Sequence, residues 1–554
     1  MAGLSLIVRV LPRSAGRGLF LLILGLGAVG ACAQGPAPEP TPAAAAAGAP
    51  VGAGFAFEEW TLEDFQDAMA SGRVTSREVT AAYLARIDAL DRRGPELRAM
   101  LDLNPDALAI AGALDAERRA GRVRGPLHGI PVVLKDNIDT ADRMTTTAGS
   151  LALEGSVAPR DAFIVERLRE AGAVILGKAN LSEWANFRST SSSSGWSGRG
   201  GQVRNPYALD RSPGGARAGS AVAVAANLTP LAVGTETDGS VVCPSATNGI
   251  VGIKPTVGLV SRAGIIPIAH SQDVAGAMAR TVADAAALLG VLAGSDPRDP
   301  STAGGRGEAH YTRFLDPEAL AGARIGVVRE QMTGYHAGTD RLFDAALADL
   351  QAAGVTVLDS LELPHQGHYG QAEWTILLYE FRDGLNAYLA GLGAGAPVRT
   401  LADVIAFNER ERARSMPYFR QEILELAQAK GVLTEREYLD ALETAKLAGA
   451  GIDSIMGLHR LDALVAPTGS PAWTIDLVLG DHFLGASSQP AAVAGYPNIT
   501  VPMGFDHGLP VGISFFGRAW SEPTLIGLAY GYEQATTHRR PPGLRASLAP
   551  FAPR

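Results

Sequence analysis

Apolar residues recur at helical spacing over residues 62–90, at Phe65, Met69, Val79, Tyr83, Leu84 and Ile87, and Thr75-Ser76-Arg77-Glu78 supplies a helix start. Residues 130–134 and 173–176 are short apolar runs rich in Val and Ile, with helical spacing over 161–171 between them. Strand, helix and strand in that order predict a parallel α/β unit whose strands are buried on both faces. The alternation continues with a small-residue helix over 219–226, strands over 231–233 and 250–253, a helix over 282–292 and a strand from 324 to 328. Residues 339–458 read as mostly helical and are expected to cap the sheet. Strands return at 461–465, 499–503 and 511–516, before a last helix over 522–536. No internal repeat interrupts this order. The pattern predicts one large α/β/α sandwich, with the strands on either side of the helical insert in the same sheet.

The N-terminus follows a different pattern. Arg9, Arg13 and Arg17 precede an apolar run over 18–30, which has signal-peptide length and is too short and glycine-rich for a membrane span. It ends Val29-Gly30-Ala31-Cys32, which resembles a bacterial lipobox with Cys32 as the lipidation site. Ala33 after the cysteine points by the same resemblance to the outer membrane, facing the periplasm; the alternative is ordinary cleavage and a soluble periplasmic or secreted protein. Residues 34–54 are Pro/Ala/Gly-rich and read as a solvated tether. The expected organisation is therefore a signal peptide over 1–31, a tether over 32–54 and a globular domain over 55–554. Cys243 is the one remaining cysteine, so no internal disulfide can form.

Composition changes little in this picture. The 554 residues are 47% hydrophobic and 19% charged, as in a large globular protein, and the net charge of −9 argues against nucleic acid as a partner. His365 and His368 have no evident third ligand, and neither a metal nor a cofactor is expected. Cys243 reads as a small apolar residue near the core. Trp184 and Trp196 either line a pocket or pack, and the serine-rich run 189–194 reads as a flexible connecting loop.

The chemistry concentrates in three segments. Lys135 closes the apolar run in Gly129-Ile130-Pro131-Val132-Val133-Leu134-Lys135-Asp136-Asn137; a glycine-rich loop reads Ser212-Pro213-Gly214-Gly215-Ala216-Arg217-Ala218-Gly219-Ser220; and Ser240 ends the turn Gly234-Thr235-Glu236-Thr237-Asp238-Gly239-Ser240. A serine hydroxyl needs a base within hydrogen-bond reach. A lysine can serve only if burial or neighbouring positive charge brings its pKa below about 10.4. A glycine-bearing turn before a helix exposes backbone N–H groups suited to an oxyanion.

Together these segments resemble the amidase signature family of serine hydrolases. Val241-Val242-Cys243-Pro244 after the turn, with Asn180-Leu181-Ser182-Glu183-Trp184-Ala185-Asn186-Phe187-Arg188-Ser189 and Gly195-Trp196-Ser197, is similar to the bacterial peptide amidase branch, and the likeness continues through Val465-Ala466-Pro467-Thr468, Ala494-Gly495-Tyr496-Pro497 and Gly508-Leu509-Pro510-Val511-Gly512. The resemblance implies an α/β fold with a large central mixed sheet and a helical cap region. It implies Ser240 as nucleophile, Lys135 as base, and the amides of Thr237, Asp238, Gly239 and Ser240 as oxyanion donors. It also implies hydrolysis of carboxamide C–N bonds through an acyl-enzyme, with C-terminal amides of peptides as the expected substrates.

One element departs from the family. By resemblance, the position after the Gly-Gly pair carries a serine, held by a cis peptide, that relays the proton between nucleophile and lysine; here it is Ala216. General acid–base catalysis contributes typically about 10²–10⁴-fold, so turnover is expected to be lowered, or carried by another route such as a bound water. The alternative is a weak or inactive amidase-fold lipoprotein that binds amidated peptides, anchored to the membrane only by its lipid. The glutaminase component of a tRNA-dependent amidotransferase shares the signature, but export argues against that reading.

Overall fold

The computed structural model describes residues 54–548 apart from Arg217, Ala309 and Ala394. The export segment, Cys32 and the tether up to Ala53 lie outside the described residues. Within them the strands are β1 (Met100–Leu103), β2 (Pro131–Lys135), β3 (Val174–Ala179), β4 (Trp196–Ser197), β5 (Gly201–Gln202), β6 (Leu231–Glu236) and β7 (Val251–Lys254). They continue with β8 (Val274–Ala279), β9 (Arg324–Val328), β10 (Thr356–Leu361), β11 (Ala463–Pro467), β12 (Asn498–Asp506) and β13 (Leu509–Phe516).

Eleven of them form one sheet in the order β1-β3-β2-β6-β8-β7-β12-β13-β11-β9-β10, and β4 and β5 pair separately. The predicted parallel unit is present, since β2 runs parallel to both β3 and β6. The sheet as a whole is mixed: β6–β8, β7–β8, β7–β12, β12–β13 and β11–β13 are antiparallel. The strands flanking the helical insert do share this sheet, with β11 parallel to β9. Every residue of β2, β3, β6, β7 and β8 is buried, as expected for strands covered on both faces.

The pattern over 62–90 resolves into two helices, Leu62–Ala70 and Ser76–Ile87, broken near Gly72, whose φ of +72° favours glycine. Thr75 and Glu78 close the second with a reciprocal capping box. The insert is helical as predicted, apart from β10 at the sheet edge. Its helices Gly370–Gly391, Leu401–Arg410 and Glu422–Gln428 bury Phe381, Leu385, Val404, Ile423 and Leu424 against Trp184 and Phe187, in the segment after β3. Arg188 fastens the cap from below: buried, it donates to Glu183 at 2.7 Å and to the Ser415 carbonyl. No helix among the described residues is long and apolar enough to cross a membrane.

Candidate active site

Parallel pairing of β2 with β6, Leu134 opposite Val233, brings the ends of both strands to one edge of the sheet. Lys135 is the last residue of β2 and is fully buried, as its position after five apolar residues suggests. Its Nζ donates to Thr235 Oγ1 at 3.1 Å, and Asn137 Nδ2 donates to the same oxygen at 3.0 Å. The neighbouring strand adds a second buried lysine. Lys178 Nζ donates to the carbonyls of Ile138 and Thr145 and to Thr146 Oγ1, and so holds the chain that leaves Lys135. Burial lowers its pKa, while Asp136 and Asp139 oppose that shift.

Beyond β6 the chain turns sharply into the helix Val242–Thr247. Gly239 has φ +72°, and a Cβ there would stand 2.9 Å from Ser488 Oγ, so a larger residue would meet both backbone strain and the serine. Glu236, also buried, organises the turn: Oε1 accepts the Gly239 amide at 3.0 Å, and Oε2 accepts those of Val241 and Val242 at 2.5 and 3.1 Å. A carboxylate at a helix start satisfies donors that the helix cannot. This geometry narrows the expected oxyanion set, because the Gly239 amide already points to Glu236. Thr237 Oγ1 donates to Asp273 at 2.5 Å, and Ser488 Oγ donates to Asp238 at 2.5 Å. Ser240 follows directly and is buried, at 8% exposure.

The glycine-rich loop packs on the same helix. Gly214 has φ +78°, and a Cβ on it would lie 2.7 Å from Thr247 Oγ1. The Pro213 carbonyl accepts Thr247 Oγ1 at 2.9 Å and Asn248 Nδ2 at 2.8 Å. The Gly215–Ala216 peptide is cis, and Ala216 is buried, its carbonyl accepting the Ser182 amide at 3.2 Å. The loop thus packs on the helix Val242–Thr247 that follows Ser240, and position 216 carries a methyl group.

The serine-rich run differs from its expectation. Ser189 and Thr190 donate to Glu422, and Ser194 donates to Asp481 through both its amide, at 3.0 Å, and its hydroxyl, at 2.5 Å. Polar residues that look solvated in sequence are tied to carboxylates of distant segments. Trp184 and Trp196 both pack: Trp184 meets Phe381 edge-on, and Trp196 meets Tyr418 and Phe419. Cys243 is half-buried, and burial pushes its thiol up to about 12, which leaves it a poor nucleophile. The rings of His365 and His368 lie 6.5 Å apart, and no group of three His, Cys, Asp or Glu among the described residues is placed to hold a metal. A cavity of about 380 Å³ is lined by Asn137, Thr235, Thr237, Ile268 and Asp273, among others.

The chain resembles known proteins over most of its length. The family model described as Amidase matches residues 78–526. The crystal structure of native peptide amidase from Stenotrophomonas maltophilia superposes with a TM-score of 0.84 at 55% identity, covering 88% of this chain and 99% of that one. A probable amidase of Arabidopsis thaliana is 42% identical over 499 residues, 88% of this chain and 92% of that protein. A putative amidase of Schizosaccharomyces pombe is 36% identical over 527 residues, 90% of this chain and 88% of that protein. With its family match and identities of this extent, the chain belongs to the amidase signature family of amide-hydrolysing enzymes.

Proposed function

We propose that this amidase hydrolyses C-terminal carboxamides of peptides through an acyl-enzyme on Ser240, with Lys135 as base and with turnover lowered by Ala216. The observation that carries the reading is the meeting of two strand ends: a buried lysine held by Thr235, and a serine presented by a turn that Glu236 caps. The likeness to a peptide amidase over 88% of the chain supports the choice of substrate.

The chemistry runs in two halves. Ser240 Oγ forms a bond to the carboxamide carbon, its proton passes to the leaving nitrogen, and the C–N bond breaks to release ammonia. Water then attacks the acyl-Ser240 ester, restoring the hydroxyl and releasing a carboxylic acid. In the first half, the amides of Thr237, Asp238 and Ser240 are the oxyanion donors in this reading. A hydroxyl at 216 would carry the proton between Ser240 and Lys135, and a methyl cannot. In this reading a bound water between Ser240 and Lys135 takes part of that role.

Ala216 also favours a second reading, a weak or inactive amidase that binds amidated peptides. Ammonia release from a C-terminally amidated peptide, compared between the natural protein and Ser240→Ala, separates the two. Release that vanishes in the variant supports hydrolysis; binding without release from either supports the second reading. We place the domain outside the cytoplasm on a lipid at Cys32, with the tether as spacer. Metabolic labelling with a radioactive fatty acid, lost in Cys32→Ala, tests that placement.

A further inference from the structure

Glu373 enters the site from the first turn of the helix Gly370–Gly391, far in sequence from the nucleophile turn. Its buried carboxylate is held on both sides: Gln272 Nε2 donates to Oε1 at 3.0 Å, and Gln489 Nε2 donates to Oε2 at 2.7 Å. Gln272 also donates to the Thr237 carbonyl at 3.4 Å, and Ser488, next to Gln489, donates to Asp238. Glu373 and Asp238 thus meet through two short bridges beside Ser240. Burial raises the pKa of Glu373, and the charge of Asp238 raises it further.

Three buried carboxylates of this protein face arginine: Glu183 has Arg188 at 2.7 Å, Asp299 has Arg262 at 2.6 Å, and Asp136 has Arg199 at 3.6 Å. Glu373 instead receives hydrogen bonds from neutral amides, which orient its oxygens without balancing their charge. Two further polar atoms point to a ligand. The Tyr369 hydroxyl is fully buried and has no hydrogen-bond partner among the described residues, and it lies near enough to Glu373 and Asp238 to feel both charges. Gln272 Oε1 is likewise buried without a partner among the described residues.

We propose that Asp238 and Glu373, with Tyr369 and Gln272 beside them, form a subsite that takes an alkylammonium group of the amide substrate. An ammonium brings three N–H donors and one positive charge, which matches two carboxylates and a free amide oxygen. The α-ammonium of an amino-acid amide and the side-chain ammonium of a lysine amide are the two sources of that group. The assignment rests on the reading of Ser240 as the acylated residue, because that reading places the scissile carboxamide beside the pair.

Binding to the full chain carrying Ser240→Ala tests this without depending on turnover. The probes are leucinamide, N-acetyl-lysinamide and the neutral N-acetyl-leucinamide, at neutral pH. The expected result is that one of the two cations binds roughly tenfold more tightly than the neutral amide, which also identifies the source. Adding Glu373→Gln, or Glu373→Ala if that variant does not fold, should remove the preference and leave the neutral amide unchanged. Equal binding of all three probes overturns the proposal. So does a Glu373→Gln loss shared equally by charged and neutral amides, which marks a structural role. A cation preference together with no ammonia release from the natural protein retains the subsite and rejects only hydrolysis.

Discussion

Lys135 Nζ lies 3.1 Å from Thr235 Oγ1, a contact between the ends of two parallel strands that fixes the lysine beside the turn carrying Ser240. Thr235→Val keeps the shape of the side chain and removes the oxygen that two buried donors share. An unmade buried hydrogen bond costs about 1–3 kcal/mol. We expect a lower melting temperature and roughly 10²-fold less ammonia release, with Thr235→Ser close to the natural protein. Steady-state kinetics of the pair check this, and a fully active valine variant would remove Thr235 from the mechanism.

Glu236 accepts three backbone amides around the turn. Glu236→Gln replaces one oxygen with a donor that faces amide N–H groups. Hydrogen bonds to charged groups contribute about 1.5–3 kcal/mol each, so we expect a stability loss of about 2–4 kcal/mol in urea titrations. Misplacement of Ser240 should lower kcat and leave KM nearly unchanged. A loss confined to KM would contradict the role given to this carboxylate.

Arg188 joins the cap to the sheet through Glu183 and the Ser415 carbonyl, with its guanidinium over Trp196 and Phe419. Removing one partner of a buried pair costs about 3–5 kcal/mol. Arg188→Met should therefore destabilise strongly by thermal unfolding, whereas the double change with Glu183→Gln should recover part of the loss.

Burial lifts Asp284 to about 6, only partly offset by the Leu62 amide that donates to it at 3.1 Å and by Arg280. Its folded pKa thus exceeds its unfolded value. The stability it confers is complete below the unfolded pKa and is lost as pH rises through about 6. Asp284→Asn cannot ionise. The variant should match the natural protein near pH 4 and exceed it by about 2–3 kcal/mol near pH 7, read from denaturant unfolding at both pH values. A gap that does not change with pH would contradict this.

Local pattern reveals the parts of the site made by one segment: the buried lysine after a Val/Ile run, the glycine turn before Ser240, and the capping box at Thr75. It does not reveal what segments far apart build together. Glu373 and Gln272 lie about a hundred residues apart, and nothing in their neighbours marks them as belonging beside the turn that carries Ser240. The run 189–194 looks solvated because Glu422 and Asp481, its partners, are distant in sequence. β8 is hard to read because Val-Ala-Gly-Ala-Met-Ala has little of the β-branched signal, and β10 because its edge residues are largely exposed. Glu236 ends β6, six residues before the helix Val242–Thr247, so no local capping pattern marks it either.

In the proposed mechanism the Ser240–Lys135 apparatus lacks a single hydroxyl, the one that Ala216 does not supply. Ammonia release from a C-terminally amidated peptide by Ala216→Ser, beside the natural protein and Ser240→Ala, tests this most directly. The predicted result is a kcat about 10²–10⁴-fold above the natural protein, with KM little changed and all activity lost without Ser240. A folded Ala216→Ser protein no faster than the natural one would contradict it.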